Sequence, residues 1–233
     1  MLADAVKSLE NGLLLEVGVG TGRNALPILK KTETRLVGLD LSREMLKQAR
    51  ARLSCHKEDC DLVLGDAENM PFRSGVFSAV VCMSTMHYFP YQRKVLRGFF
   101  QTLLEGGLLV YGDLSVHESD EQGFFEKLER RLSKAHARYH KPSEMNRILE
   151  DCDFSVFRTR TVAYRKSLQS LIEDKGQYFE VPSHALLKLV EEADEAAQKH
   201  YNLTNTELTQ YYTVIVAQKK QSTVDSCRKG QCA

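Results

Sequence analysis

Glycines at positions 18, 20 and 22 fall between an apolar run and a helical segment, in Leu14-Leu-Glu-Val-Gly-Val-Gly-Thr-Gly-Arg23. A loop without Cβ atoms lets a ligand lie directly on the backbone. Acids flank the loop and follow it. Glu16 stands just before the glycines, at the end of a buried run, where a carboxylate is costly without a partner. Asp40 ends the next apolar run. A carboxylate there can accept both hydroxyls of a ribose, as bonds to a charged group worth about 1.5–3 kcal/mol each. Asp66, in Gly65-Asp-Ala-Glu-Asn-Met-Pro-Phe72, can accept from an exocyclic adenine amine, with the backbone of Ala67 beside it. The dinucleotide fingerprint G-x-G-x-x-G would need glycine at position 23, which is Arg23. The spacing G-x-G-x-G therefore disfavours a nicotinamide dinucleotide.

The elements that hold these residues are legible as short apolar runs alternating with helical segments. Leu13 to Val17, Leu36 to Leu39, Leu62 to Leu64, Val76 to Met83 and Leu108 to Tyr111 read as strands, the last after Gly106-Gly107. Continuous rather than alternating apolar residues mean burial on both faces, hence a parallel sheet in a doubly wound α/β fold. Arg23 to Lys31, Ser42 (as cap) to Leu53 and Tyr91 to Leu104 read as helices. Met45, Leu46 and Ala49 share one face of the second. Beyond them, Ser119 to Arg138, Pro142 to Asp151, Leu168 to Ile172 and Ser183 to His200 are expected as helices. Phe154 to Tyr164 is strand-like, Thr204 to Glu207 fits a capping box, and Tyr211 to Ala217 is the last strand. One domain over 1–218 is expected, with a core over 11–115 and helical insertions over about 116–142 and 165–208. The tail 219–233 is expected to be polar and disordered.

Lys and Arg number 32 against 31 Asp and Glu, a net charge of +1, so no excess cations hold a phosphate backbone and nucleic acid is not an expected partner. No run approaches the ~20 apolar residues of a membrane span, and the first residues lack the apolar core of a secretory signal. A cytoplasmic protein is expected. Its six cysteines, Cys55, Cys60, Cys82, Cys152, Cys227 and Cys232, are then expected as free thiols. The pairs Cys55/Cys60 and Cys227/Cys232 lie in a polar loop and a polar tail, and no metal is expected.

LEVGVGTGR, VGLDLSREML, GDAENMPF and FSAVVCMSTMHYF occur in order over Leu13 to Asp113. Together they resemble the class I S-adenosylmethionine (SAM)-dependent methyltransferases, in the small-molecule branch that includes the ubiquinone/menaquinone C-methyltransferases. The resemblance implies a Rossmann-like seven-stranded sheet, mostly parallel with the last strand antiparallel, and inserted helices forming a lid. It places Glu16, Gly18, Gly20, Gly22, Arg23, Asp40, Leu41, Met45, Asp66, Ala67, Met83 and Ser84 around the cofactor. Glu16 would serve the methionine amino end, Asp40 the ribose, Leu41 and Met45 the adenine faces, Asp66 and Ala67 the adenine edge. Met83 and Ser84 would face the methionine and methyl.

His87 and Tyr88 follow at the mouth as catalytic candidates, and His87 has the alternative of a packing residue beside the cofactor. Asp113 and His117 follow the fifth strand, where Asp113 either joins the site or caps the strand end. His136, Tyr139 and His140 either border the acceptor pocket or form a polar helix end. Phe124, Phe125, Leu128 and Leu132 form a stripe that is core packing or lid; Tyr178, Phe179 and Tyr201 mark a second lid candidate. Two features depart from the family. Only about a dozen residues precede the first strand, so the usual helical cover is missing or supplied by another segment. The C-terminal Asn/Arg signature of the quinone enzymes is absent, which argues against a quinone acceptor. A SAM-dependent methyltransferase with an unidentified small-molecule acceptor is the resulting expectation. Alternatives are a non-catalytic SAM-binding or assembly subunit, and a protein or RNA methyltransferase. Neutral charge and Met83-Ser-Thr-Met86, in place of an Asn/Asp-Pro-Pro-Tyr-type tetrapeptide, disfavour the last.

Overall fold

The computed structural model describes residues 12–176 and 183–221. Its apolar runs are strands β1 (Leu13–Val17), β2 (Arg35–Asp40), β3 (Cys60–Leu64), β4 (Phe77–Met83), β5 (Leu103–Ser115), β6 (Phe154–Ser167) and β7 (Glu207–Lys219). They form a sheet ordered β3-β2-β1-β4-β5-β7-β6. The pairs from β3 across to β5 are parallel, whereas β7 runs antiparallel to both β5 and β6. The helices are α1 (Ala25–Leu29), α2 (Arg43–Arg52), α3 (Gln92–Thr102), α4 (Phe124–Leu132), α5 (Pro142–Glu150), α6 (Leu168–Gly176), α7 (Ser183–Glu191) and α8 (Glu195–Tyr201).

Both sheet faces are covered, which is why the strands read as unbroken apolar runs. On one face Leu15, Val17, Val80 and Tyr111 pack with Leu96 and Phe99 of α3 and with Leu149 of α5. On the other, Leu14, Leu36 and Val81 pack with Ile28 of α1 and Leu46 of α2. The Ser42 hydroxyl caps α2 by accepting from Met45 N at 3.3 Å. A third apolar cluster is separate: Phe124, Phe125, Leu128 and Leu132 join Leu168, Leu171, Val190, Ala197 and Tyr201. The stripe on α4 is therefore the core of a helical lobe, to which both lid candidates contribute. Tyr178 and Phe179 lie outside the described residues, as do Cys227 and Cys232.

Several expected boundaries differ. The helix expected over Ser119 to Arg138 is only α4. Gly123 turns the chain at φ 68°, and Asp120 accepts from Phe124 N at 3.0 Å and Phe125 N at 3.1 Å, so the helix begins there. The helix expected over Ser183 to His200 is broken, because Asp194 caps a new one by accepting from Ala197 N at 2.7 Å. Thr204 to Glu207 starts no helix. Glu207 N donates to Thr204 Oγ1 at 3.0 Å and Thr204 N to Glu207 O at 2.9 Å, closing a turn into β7. The β-branched and aromatic run after it is captured by strand partners on both sides. Lys219, expected in the tail, ends β7 and is buried, with Nζ donating to Leu103 O at 3.0 Å.

Candidate active site at the carboxyl ends of the strands

In an open α/β sheet the crevice lies where strand order reverses, here beside β1 and β4. The glycine loop leaves β1 there. Gly18, Gly20 and Gly22 have φ of 70°, 52° and 77°, the left-handed region glycine enters freely. At Gly18 a Cβ would sit 2.2 Å from Thr85 Cγ2, so glycine is what lets the β1 loop meet the β4 loop. Beside Gly20 the nearest atom to such a Cβ is 3.9 Å away, leaving open space along the backbone. The loop is held from β2: Gly18 N and Val19 N donate to Leu39 O at 2.8 and 3.1 Å. Arg52 Nη1 donates to Thr21 O at 3.0 Å and to its hydroxyl at 2.7 Å.

Asp40 accepts Gly20 N on Oδ2 and Ser42 N on Oδ1, each at 2.8 Å. It thus shapes the loop, and each oxygen keeps a lone pair for a further donor. Glu16 is buried, and its Oε2 has no partner among the described residues. Burial raises its carboxyl from the ordinary 4.5 to about 8; the Asn24 side chain opposes this and the Asp40 charge adds to it. An orphaned carboxylate oxygen under a backbone loop suits a cationic group. Asp66 accepts Glu68 N at 2.8 Å and Asn69 Nδ2 at 2.7 Å, capping the turn that carries buried Ala67. Leu41 is 74% exposed beside Asp40, an aliphatic surface available to a flat ring. Met45 is half-buried and Arg23 exposed.

After β4 the chain turns sharply. Ser84 has φ 52°, and its N donates to Gly112 O at 2.6 Å. Strained non-glycine residues of this kind cluster at functional sites. The Ser84 hydroxyl lies 3.0 Å from Tyr212 OH on β7. Tyr212 was not singled out from sequence, because nothing local links residues 128 apart. A Cβ on Gly112 would meet Met83 Cε at 2.5 Å and Tyr212 OH at 3.1 Å. Glycine there lets Met83 and Tyr212 share the end of the sheet.

His87 and Asp113 form a pair that sequence spacing does not reveal. His87 Nδ1 is 3.0 Å from both Asp113 oxygens, and Asp113 also accepts His87 N at 3.2 Å. Asp113 is therefore the partner of His87 as well as of Leu114 N. His87 is 5% exposed while Tyr88 is 42% exposed, so at the mouth only Tyr88 meets solvent. The segment after α4 covers His87. Ala137 N donates to His87 O at 2.8 Å, and Gln92 Nε2 donates to Met86 O and Arg138 O at 3.1 and 3.0 Å. Tyr139 packs 4.8 Å from the His87 ring. His136 and Tyr139 thus pack around His87, beyond the end of α4 rather than on its last turn. His140 bonds Gln92 and braces the same cover. His117 lies elsewhere, stacked on His200 at 4.5 Å.

A family model described as a methyltransferase domain matches residues 14–107. Phthiotriol/phenolphthiotriol dimycocerosates methyltransferase 1 of Mycobacterium ulcerans is 33% identical over 102 residues, 43% of this chain and 37% of that protein. The chloroplastic 2-methyl-6-phytyl-1,4-hydroquinone methyltransferase of Spinacia oleracea is 32% identical over 98 residues, 42% of this chain and 28% of that protein. The chain thus spans well under half the length of these curated relatives. Among solved structures, a provisionally assigned methyltransferase of Bacillus halodurans superposes with a TM-score of 0.86 at 22% identity, over 94% of this chain and 99% of its own. That likeness is one of fold. The glycine loop, Glu16, Asp40 and Asp66 described above thus lie within the segment, residues 14–107, that is similar to methyltransferase domains.

Proposed function

We propose that this protein moves the methyl group of SAM to a small-molecule acceptor by direct displacement. The observation that carries the reading is Glu16, whose buried, unpartnered oxygen lies just before the glycine loop. A methionine ammonium supplies the cation this oxygen needs. A dinucleotide would bring an anionic pyrophosphate instead. Bound SAM supplies a methyl group already activated by the sulfonium charge. Gly18, Gly20 and Gly22 would line its methionine part, with Met83 and Ser84 near the methyl. Asp40 would hold the ribose, and Leu41, Met45, Asp66 and Ala67 the adenine; Arg23 would flank the loop.

The chain's own work is then orientation, worth up to about 7–11 kcal/mol, and proton removal where the nucleophile carries one. His87 is assigned as the base. Asp113 holds the proton on Nδ1 and stabilises the imidazolium, leaving Nε2 to accept. Tyr88 lies at a ring distance of 4.0 Å from His87 and is assigned to the entrance. Enclosure of His87 beneath Tyr139 and the 133–141 segment suits a small acceptor better than a polymer. No helix among the described residues is long and apolar enough to cross a membrane, and a cytoplasmic setting fits the proposal. A screen with methyl-labelled SAM against small-molecule, protein and RNA pools tests it. Label in the small-molecule pool is expected; label only in protein or RNA would overturn the acceptor assignment.

A further inference from the structure

Two histidines meet over one tyrosine ring at this end of the sheet, each anchored by its own carboxylate. His87 Nδ1 faces Asp113 at 3.0 Å, and His136 Nε2 faces Glu126 Oε1 at 3.1 Å. Glu126 also accepts Tyr139 N at 2.7 Å, so one carboxylate holds both the His136 ring and the Tyr139 backbone of the covering segment. Ring centroids lie 4.8 Å apart for His87 and Tyr139, 4.6 Å for His136 and Tyr139, and 5.9 Å for the two histidines. The remaining nitrogens, His87 Nε2 and His136 Nδ1, are buried and have no hydrogen-bond partner among the described residues.

A neutral imidazole has one N–H, and a carboxylate fixes it on the nitrogen it faces. The far nitrogen of each ring is then an acceptor. Two buried acceptors left unmatched are costly. One group with two donors relieves both. A hydroxyl has one donor, and a thiolate or carbon nucleophile has none. A protonated primary or secondary amine has two or more.

Resting on the methyltransferase reading above, we infer that the acceptor is a primary or secondary amine whose nitrogen sits between His87 Nε2 and His136 Nδ1, with His136 as its positioning residue. The ammonium gives one proton to His87 Nε2, forming an imidazolium paired with Asp113. The lone pair left on nitrogen bonds to the methyl carbon as the carbon–sulfur bond breaks. That bond's electron pair goes to sulfur, leaving a neutral thioether and an N-methylammonium.

The test needs no knowledge of the natural acceptor. Full-length protein labelled with nitrogen-15 in its histidines is saturated with S-adenosylhomocysteine, and the imidazole nitrogens are followed by NMR. The expected tautomers are Nδ1–H for His87 and Nε2–H for His136. Methylammonium chloride, the smallest double donor carrying carbon, is expected to shift both His87 Nε2 and His136 Nδ1. Methanol at the same concentration should shift them far less, and His136→Phe should abolish the methylammonium response at His87. A proton on His87 Nε2 or His136 Nδ1 in the free protein would overturn the inference. So would equal responses to methanol and methylammonium, or none to either, as expected if an ordered water fills the gap. Calorimetry of S-adenosylhomocysteine on the same sample keeps the two claims apart. No heat there sinks the methyltransferase reading, whereas wrong tautomers with normal binding sink only the amine assignment.

Discussion

Replacing Glu16 by glutamine removes a buried carboxyl at the glycine loop while nearly preserving its shape. The unfolded chain releases this proton near pH 4.5, whereas the fold, through burial, keeps it to about pH 8. Its contribution to stability is thus fully present below pH 4.5 and is lost as pH rises through about 8. At about 1.36 kcal/mol per pH unit, that interval corresponds to roughly 5 kcal/mol. Glu16→Gln has no such proton to lose. Urea unfolding of both proteins from pH 4.5 to 8.5 should show the wild type losing about that much relative to the variant, while fixed packing differences cancel in the comparison. Parallel stability curves would refute the burial argument. The same carboxyl should ionise when a ligand ammonium arrives beside it. SAM binding near pH 6.5 is then expected to release close to one proton from the wild type and none from Glu16→Gln, read as buffer-dependent calorimetric heats.

Asp40→Ala removes the acceptor for Gly20 N and the proposed ribose contact, so SAM affinity should fall by about 2 kcal/mol or more in titration calorimetry. Gly18→Ala forces a left-handed backbone on alanine and drives its Cβ into Thr85; loss of several kcal/mol in urea unfolding is expected. Once an acceptor is in hand, Asp113→Asn should lower kcat by about 10²–10⁴-fold with unchanged SAM affinity, since it disturbs the base and not the cofactor loop. Phe125→Ala should destabilise by about 3–5 kcal/mol through the lobe core, seen as a lower urea midpoint.

What could be read ahead of the structure followed from local physics. Strands buried on both faces announce themselves as apolar runs, and β1, β2 and β4 lie within a residue of their expected bounds. The loop at Gly18, Gly20 and Gly22 was legible from its spacing between a strand and a helix, whereas the positive φ of all three glycines emerged only with the structure. Helix lengths in the lobe were less legible. Amphipathic periodicity continues through Gly123 and Asp194, and only side-chain caps on backbone N–H groups decide where a helix starts. Thr204 looked like a helix cap because its hydroxyl captures Glu207 N in the turn as it would in a helix. The pairs His87–Asp113, Ser84–Tyr212 and His136–Glu126 depend on which strand ends and segments meet, and no spacing along the chain encodes that.

Calorimetry with SAM, S-adenosylhomocysteine and NAD in parallel, on folded wild-type protein, bears most directly on the proposed sulfonium-nucleoside site. SAM and S-adenosylhomocysteine should bind at one site per chain and NAD should not. A folded protein that takes up NAD, or that ignores both SAM and S-adenosylhomocysteine at millimolar concentration, would contradict the account.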